Sequence, residues 1–228
     1  EDCAEAHFGK DENNNFVGSN FDAGCFSFYA NKIISGGEGG IVLFKENDAV
    51  LKAKKLKNLA FGDNQSISKF FHKEIGFNYR LNNLSASLIW QSIRKRDSIL
   101  EERRRIEAFY TSIFESKEYV ELIPSKLSSY RVNWVYCIKF KPYILKKFES
   151  KNDLLHSLSM NGVEARDFFY PADHQEFFIN YAKEKNYKYQ NTINSLKFYE
   201  SSIYLPVYNE LTNTDIEKIV LIIEETID

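Results

Sequence analysis

The sequence predicts an α/β protein, because stretches typical of strands alternate along the chain with stretches typical of helices. Apolar and polar residues alternate over residues 23–29 and again over residues 132–140, which is the period of a half-buried strand. Apolar residues recur at helical spacing over residues 83–114, and a second helical stretch covers residues 143–160.

The N-terminal elements begin with the strand at residues 23–29, which places Cys25, Ser27 and Tyr29 on one face and two phenylalanines on the other. Residues 41–44 form a second short strand. The helix over residues 83–114 carries a basic face, which we interpret as a solvated surface paired with nearby glutamates.

The C-terminal elements follow a change of character near residues 116–125, so we predict domains at residues 1–118 and 119–228. The helix over 143–160 ends at Asn161-Gly162. The stretch VEARDFFY is predicted as a strand, residues 191–202 as a helix and IYLPVY as extended. The spacing of Thr214 and Glu217 predicts a capping box for the last helix.

Composition excludes several classes of function. The chain has 228 residues and a net charge of -2, which does not favour nucleic acid or an anionic membrane as a partner. Its three cysteines form no CxxC pair, which indicates reduced thiols in a cytoplasmic protein and predicts neither disulfides nor a metal site. The longest aliphatic run, residues 219–223, is too short to span a bilayer.

The stretch CFSFYANKIISGGEGG, residues 25–40, contains one lysine between a strand and a glycine-rich turn. Apolar flanks desolvate an ammonium and favour the neutral amine that Schiff-base chemistry needs. Glycines let a backbone approach a ligand closely. Lys32 is therefore a candidate nucleophile, and the alternative is an ordinary surface lysine.

Five blocks resemble the DegT/DnrJ/EryC1/StrS sugar aminotransferases in order and spacing. They are EDCAEAH, VGSNFDAGCFSFYANKIISGGEGGIV, IGFNYRLNNLSASL, GVEARDFFYP and LPVYNELTNTDIEKIV. The lysine block is close to the form found in GDP-perosamine synthases. The resemblance implies a fold type I enzyme that depends on pyridoxal 5'-phosphate. It also implies that the chain is the C-terminal part of the large domain followed by a small C-terminal α/β domain.

The resemblance implies five cofactor-binding residues. Lys32 matches the lysine that forms a Schiff base with the cofactor, and Asp2 matches the aspartate that pairs with the pyridine nitrogen. Glu5 stands near the ring oxygen, where many members have glutamine or histidine and perosamine-type members often have glutamate. Ser27 matches the phosphate-binding serine, and Asn78 matches an asparagine that reaches the phosphate in the partner subunit. The alternatives are a capping aspartate, a core-facing serine and a turn asparagine.

His174 is a further candidate for the substrate pocket. Family members often have a histidine in the pattern P-x-H, whereas here Pro171 and His174 are separated by two residues, one more than the pattern has. The implied reaction is transamination of a nucleotide-linked 4-keto-6-deoxy sugar, with L-glutamate as the amino donor. The implied enzyme is a cytoplasmic homodimer whose product feeds the synthesis of a surface glycan such as O-antigen.

Two alternatives remain open at this point. Family members have a large N-terminal portion before the ED block, so we expect a missing N-terminal segment, and a companion segment or tight dimer would have to complete the pocket. The chain could instead be a non-catalytic remnant or partner subunit. A sugar 3-dehydratase of the same fold would carry histidine in place of Lys32, and the lysine argues against it.

Overall fold

The described part of the chain forms two units. The computed structural model describes residues 1–61, 70–122, 132–189 and 192–228. Of these, residues 1–61, 70–101 and 132–134 form the first unit, and the remainder form the second. The sequence predicted one boundary between residues 118 and 119. The structure divides the chain earlier, inside a long helix, because Ile106, Tyr110 and Phe114 of that helix belong to the core of the second unit.

The first unit contains a two-stranded antiparallel sheet, β1 (Ala23–Ser27) and β2 (Gly40–Phe44). The chain start lies beside β1, where Asp2 forms a parallel bridge with Cys25. The bridge is supported by the amide of Cys3, which donates to the carbonyl of Cys25 at 2.8 Å. Within the described residues, β2 pairs with β1 alone.

Three helices follow in order along the chain, α1 (Asn47–Lys57), α2 (Asn83–Arg94) and α3 (Arg96–Phe114). The single helix predicted over residues 83–114 is therefore two helices, separated at Lys95. Asn82 caps α2, because its side chain accepts from the amide of Ser85 at 2.8 Å.

A small apolar cluster holds the first unit together. Its buried members come from the end of β1, the following turn, α2 and the start of α3; they are Phe28, Ile33, Ile34, Ile89 and Ile99. Burying an aliphatic or aromatic side chain of this size stabilises a fold by about 1.5–3 kcal/mol. The cluster therefore fixes the turn that follows β1 against the helices.

The second unit is built on a four-stranded antiparallel sheet in the order β3-β4-β6-β5. Its strands are β3 (Val120–Glu121), β4 (Tyr136–Phe140), β5 (Arg166–Asp167) and β6 (Ser202–Leu205). The predicted strands at 132–140 and in VEARDFFY are thus real but shorter, and Trp134 lies outside β4.

The described part of the second unit also contains five α-helices. They are α4 (Pro142–Leu145), α5 (Lys151–Met160), α6 (Glu176–Glu184), α7 (Ile193–Ser201) and α8 (Asn213–Ile227). The helix predicted over 143–160 is divided into α4 and α5, because the side chain of Ser150 starts a new helix by accepting from Asp153. Gly162, with φ of +87°, follows α5 as the Asn161-Gly162 pair predicted. Of the helix predicted over 191–202, residue 191 lies outside the described residues.

The capping box of α8 lies two residues before the predicted one. Thr212 Oγ1 accepts from the amide of Asp215 at 3.1 Å, and the Asp215 carboxylate accepts from the amide of Thr212 at 3.2 Å. The Thr212 hydroxyl also donates to the Asp215 carboxylate at 2.6 Å, and this hydrogen bond, together with the one from the Thr212 amide, holds the pKa of Asp215 below its usual range. The sequence contains two overlapping threonine–acid pairs at capping-box spacing, and the structure uses Thr212 with Asp215 instead of Thr214 with Glu217.

The basic face of α3 is less solvated than predicted. Arg105 pairs with Glu102 at 2.9 Å, as expected for a surface helix. Arg103, however, is buried and donates to the carbonyl of Val207 at 2.9 Å and to the amide oxygen of Asn209 at 3.2 Å. Burial lowers the pKa of Arg103. Arg103 therefore connects α3 to the segment before α8 through hydrogen bonds.

The described residues include no helix with the length and apolarity needed to cross a membrane. They also include no group of three or more histidine, cysteine, aspartate or glutamate side chains placed to hold a metal ion.

Candidate active site

One face of β1 carries polar side chains that the sequence singled out. Because Asp2 and Cys25 are bridge partners, their side chains lie on the same face, and Ser27, two residues further on, shares it. Asp2 is exposed and Ser27 half-buried. The structure therefore brings Asp2 and Ser27 to one face of the sheet, although they are 25 positions apart in the chain.

Lys32 lies in the turn that follows this strand. Its Nζ is 2.9 Å from Glu5 Oε1, and only 11% of the lysine side chain is exposed, against 47% of the glutamate side chain. The sequence predicted that apolar flanks would favour the neutral amine. The structure buries the flanking Ile33 and Ile34 in the core and places the amine beside a carboxylate, and the neutral amine stays a prediction. Lys32 and Glu5 are thus brought together as an ion pair.

Trp134 is a site residue that the sequence did not reveal. Lys32 Nζ lies 3.9 Å from the centroid of its ring. The indole Nε1–H donates to the carbonyl of Asn31 at 2.7 Å, across a sequence separation of 103 residues. The sequence assigned Trp134 to the face of a strand, and no local pattern could have placed it beside Lys32.

Two glycines of the glycine-rich turn pack closely against other parts of the first unit. A Cβ on Gly36 would lie 2.4 Å from Ile89 Cγ1, and one on Gly39 would lie 2.7 Å from Leu81 Cδ1. Gly39 also has a φ of +126°, which side chains rarely adopt. Gly36 therefore lies close against α2 and Gly39 against Leu81, whereas, among the glycines of this turn, a Cβ on Gly37 would meet no atom within 4 Å. The approach of the turn to a ligand stays a prediction.

Asn78 is exposed on the segment between α1 and α2, where it forms a bridge with Asn58. Its Oδ1 accepts from Arg80 Nε at 3.2 Å and from Arg80 Nη2 at 3.1 Å. The backbone is tightly packed here, since a Cβ on Gly76 would lie 2.2 Å from the carbonyl carbon of Leu59. Arg80 thus engages the acceptor end of the Asn78 amide, and the amide nitrogen is the end that can donate to an anion.

His174 belongs to the second unit and ends a turn of 3-10 helix, Ala172–His174. Its Nε2 is buried 3.8 Å from an oxygen of Asp173. Asp173 in turn accepts from the amide of Thr192 at 2.7 Å and from its hydroxyl, and these hydrogen bonds hold the pKa of Asp173 below its usual range. Asp173 therefore connects the turn to the start of α7 through hydrogen bonds. It is one of the two residues between Pro171 and His174.

The opposite face of β1 borders a cavity of about 380 Å³ within the first unit. His7, only 4% exposed, lies between the rings of Phe26 and Phe28 at centroid distances of 5.7 and 5.6 Å. Burial lowers the pKa of His7. Apart from His7 and Arg96 the lining residues that the structure describes are apolar, and none of them carries a carboxylate, hydroxyl or primary amine. The face with Asp2 and Ser27 is therefore the better candidate site.

Comparison with known proteins identifies the family. The profile of the DegT/DnrJ/EryC1/StrS aminotransferase family matches residues 1–224. The GDP-perosamine synthase of Vibrio cholerae is 28% identical over 220 residues, which are 96% of this chain and 56% of that protein. The UDP-4-amino-4,6-dideoxy-N-acetyl-beta-L-altrosamine transaminase of Campylobacter jejuni (strain 81-176) is 27% identical over 219 residues, 94% of this chain and 54% of that protein.

Solved structures show a similar fold. Helicobacter pylori PseC, an aminotransferase involved in the biosynthesis of pseudoaminic acid, superposes with a TM-score of 0.82 at 23% identity, over 97% of this chain and 57% of that one. Sugar aminotransferase CalS13 from Micromonospora echinospora gives a TM-score of 0.75 at 18% identity, over 99% of this chain and 57% of that one.

The chain belongs to the DegT/DnrJ/EryC1/StrS aminotransferase family. The predicted α/β fold of a fold type I aminotransferase is confirmed, and so is pyridoxal phosphate as the cofactor of the family. The chain spans a little over half the length of these relatives, 56% and 54%.

Proposed function

We propose that the chain carries the cofactor-binding face of a pyridoxal-phosphate-dependent aminotransferase that acts on a nucleotide-linked 4-keto-6-deoxy sugar. Family membership supports the reaction class, and the names of the two relatives above support a nucleotide sugar as substrate. The observation that carries the proposal is Lys32. It is an almost buried amine, paired with Glu5, that follows the strand whose polar face holds Asp2 and Ser27.

The chemistry of these side chains fits the cofactor. When bound, pyridoxal phosphate supplies an aldehyde that accepts an amino group and a ring that withdraws electrons from the reacting carbon. Asp2 would pair with the protonated ring nitrogen, and the Ser27 hydroxyl would donate to the phosphate. Lys32 would bond to the aldehyde carbon, with Glu5 near the ring oxygen. A carboxylate, a hydroxyl and an amine are the groups that these contacts require.

Lys32 has a second task once its amine is free. Its Nζ would take a proton from the α-carbon of the amino donor, which we propose is L-glutamate, and would later return a proton during delivery of nitrogen to C4 of the sugar. Proton transfer by a positioned amine contributes about 10²–10⁴-fold to rate. The donor leaves as 2-oxoglutarate, and the amino sugar would feed the synthesis of a surface glycan.

The proposed enzyme is a cytoplasmic homodimer. All three cysteines are free thiols, which suits a reducing compartment. The amide nitrogen of Asn78 is the donor we assign to the phosphate of the partner subunit's cofactor, because Arg80 engages the other end of the amide. A two-fold symmetric dimer would then build two identical sites.

Absorbance spectroscopy separates this function from that of a non-catalytic remnant or partner subunit. Because free pyridoxal phosphate is itself yellow, the spectrum is read against the cofactor alone. The chain mixed with excess cofactor should add a band of visible absorbance, and borohydride should bleach that band by reducing the carbon–nitrogen bond to the lysine. Lys32→Ala should add no such band and in this sense stay colourless. The control Lys45→Ala should colour normally, because Lys45 donates to the carbonyl of Asn20 and has no part in the site. A colourless wild-type chain, or an equally coloured Lys32→Ala chain, would overturn the proposal.

A further inference from the structure

The ammonium of Lys32 lies between two partners of different chemistry. Glu5 Oε1 approaches Nζ at 2.9 Å, and the ring of Trp134 approaches it at 3.9 Å from the centroid. A carboxylate attracts a cation by its charge, and an indole attracts it through the negative face of its ring system. At 11% exposure, the lysine side chain is shielded from water, which strengthens both attractions.

The orientation of the indole is fixed relative to the lysine. Its Nε1–H donates at 2.7 Å to the carbonyl of Asn31, the residue that precedes Lys32. The same side chain packs against the apolar cluster that contains Ile33 and Ile34, the residues that follow Lys32. The ring is therefore held at a fixed position relative to the short segment that carries the reactive amine.

We propose that Trp134 is a positioning residue for Lys32, forming with Glu5 a resting place for the amine whenever it is free. The proposal rests on the proposed function, in which the lysine alternates between a covalent bond to the cofactor and a free amine. Only when the lysine is not bonded to the cofactor can its amine be protonated to the ammonium that the ring attracts. Trp134 therefore favours release of the lysine and keeps it on the side where Glu5 lies.

Packing alone would also explain an aromatic residue here, so the test must change the electrostatics of the ring without changing its shape. Fluorinated tryptophans meet this need, because fluorine withdraws electrons from the ring face while the N–H and the outline are kept. The chain has two tryptophans, and Trp90 is 64% exposed. A Trp90→Phe background therefore leaves Trp134 as the single position that is labelled.

The measurement is the rate at which acetic anhydride modifies Lys32 in the cofactor-free chain, followed by peptide mass spectrometry. Withdrawing electrons from the ring face should weaken its attraction for the ammonium of Lys32. The rate of Lys32 acetylation should therefore rise stepwise from tryptophan through the monofluoro and difluoro forms to Trp134→Leu. The full range should be about twofold to thirtyfold, the span of cation–π attraction between exposed and desolvated sites. Lys151 is the internal control, because its ammonium lies over the ring of Tyr199 at 3.7 Å and should react at an unchanged rate.

Equal rates at Lys32 across the fluorinated series would overturn the proposal, and so would a parallel change at Lys151, which would indicate general loosening of the chain. The reaction uses no pyridoxal phosphate. A stepwise rise at Lys32 in a chain that remains colourless with the cofactor would therefore reject the proposed function while supporting the contact between Trp134 and Lys32.

Discussion

Two lysines, one in each unit, have nearly the same surroundings and differ in what their ammonium groups do. Lys32 in the first unit and Lys151 in the second are each 11% exposed in their side chains. Lys32 has Glu5 at 2.9 Å and an indole at 3.9 Å, whereas Lys151 has Asp167 at 2.5 Å and a phenol ring at 3.7 Å. Burial, a carboxylate and an aromatic face therefore do not distinguish a reactive lysine from a structural one.

The difference lies in the partners. Lys151 also donates to the carbonyl of Tyr199, whose hydroxyl donates to Asp167 at 2.9 Å and whose pKa is raised by that hydrogen bond. Lys151 thus joins α5, β5 and α7 in one closed network. Lys32 contacts a half-exposed carboxylate and follows the strand whose polar face carries Asp2 and Ser27. What marks Lys32 as the candidate nucleophile is the polar face of that strand.

The largest expected effect comes from exchanging each lysine for alanine in a chain completed to the length of its relatives. Lys32→Ala should reduce turnover by at least about 10²–10⁴-fold, because proton transfer and the covalent bond to the cofactor are both lost. Lys151→Ala should instead lower the free energy of unfolding by about 1.5–3 kcal/mol, because charge-assisted hydrogen bonds are lost, and the folded fraction should keep its turnover. Single-turnover kinetics and urea unfolding measure the two effects. A large loss of turnover in Lys151→Ala, with turnover kept and only stability lost in Lys32→Ala, would contradict the comparison.

The next prediction concerns completion of the first unit. β2 leaves Ile41, Val42 and Leu43 between 45% and 48% exposed, which is unusual for three consecutive apolar residues of a sheet. We expect the chain alone to bind pyridoxal phosphate weakly. Coexpression with the portion of a relative that this chain does not match should tighten binding by at least about tenfold, or 1.4 kcal/mol. Absorbance titration measures the affinity, and equal affinity with and without that portion would show that the first unit needs no completion.

A third prediction asks whether the site on the first unit is shared between subunits. Hybrid dimers of the completed protein would pair a Lys32→Ala chain with an Asn78→Ala chain, each impaired as a homodimer. If Asn78 acts across the two-fold axis, one site carries both defects and the other is intact, so about half of the wild-type activity should return. Differently tagged chains verify hybrid formation. Activity no higher than that of the two parent homodimers would place Asn78 in its own chain's site.

The smallest effect concerns the apolar face of β1. Because burial lowers the pKa of His7 from its ordinary value of 6.5, the unfolded chain binds more protons than the folded chain below that pH. The first unit should therefore lose stability as pH falls below about 6.5, by at most about 1.4 kcal/mol per pH unit. His7→Phe should flatten this dependence in urea unfolding at pH 7.5 and 5.5, whereas His156→Gln, at an exposed position, should not. An unchanged slope in His7→Phe would show that the imidazole is not the group responsible.

Local features of the fold were predictable from the sequence. The alternation over residues 23–29 placed Ser27 and the phenylalanines on opposite faces of β1, because a strand's two-residue period is a local property. Asn161-Gly162 closed α5 for the same reason, since the left-handed φ of +87° suits glycine. Where two local signals overlapped, as in the two threonine–acid pairs before α8, the sequence could not decide between them.

The candidate site was predictable only in part. Asp2, Ser27 and Lys32 lie in short blocks whose order resembles the family, so each could be named from the sequence. Trp134 could not, because its position depends on a contact that spans 103 residues. The packing of the glycine turn on Ile89 of α2 likewise depends on tertiary structure, so the sequence could not show it.

The central claim, that Lys32 is the residue to which the cofactor bonds, can be tested directly by peptide mass mapping. The chain would be mixed with pyridoxal phosphate, reduced with borohydride and digested, and the mass increase of the reduced adduct would be assigned to individual lysines. The account predicts that the adduct lies on Lys32 and that Lys151, equally buried and also stacked on an aromatic ring, remains unmodified. An adduct on Lys151, or one spread over exposed lysines with Lys32 unmodified, would contradict it.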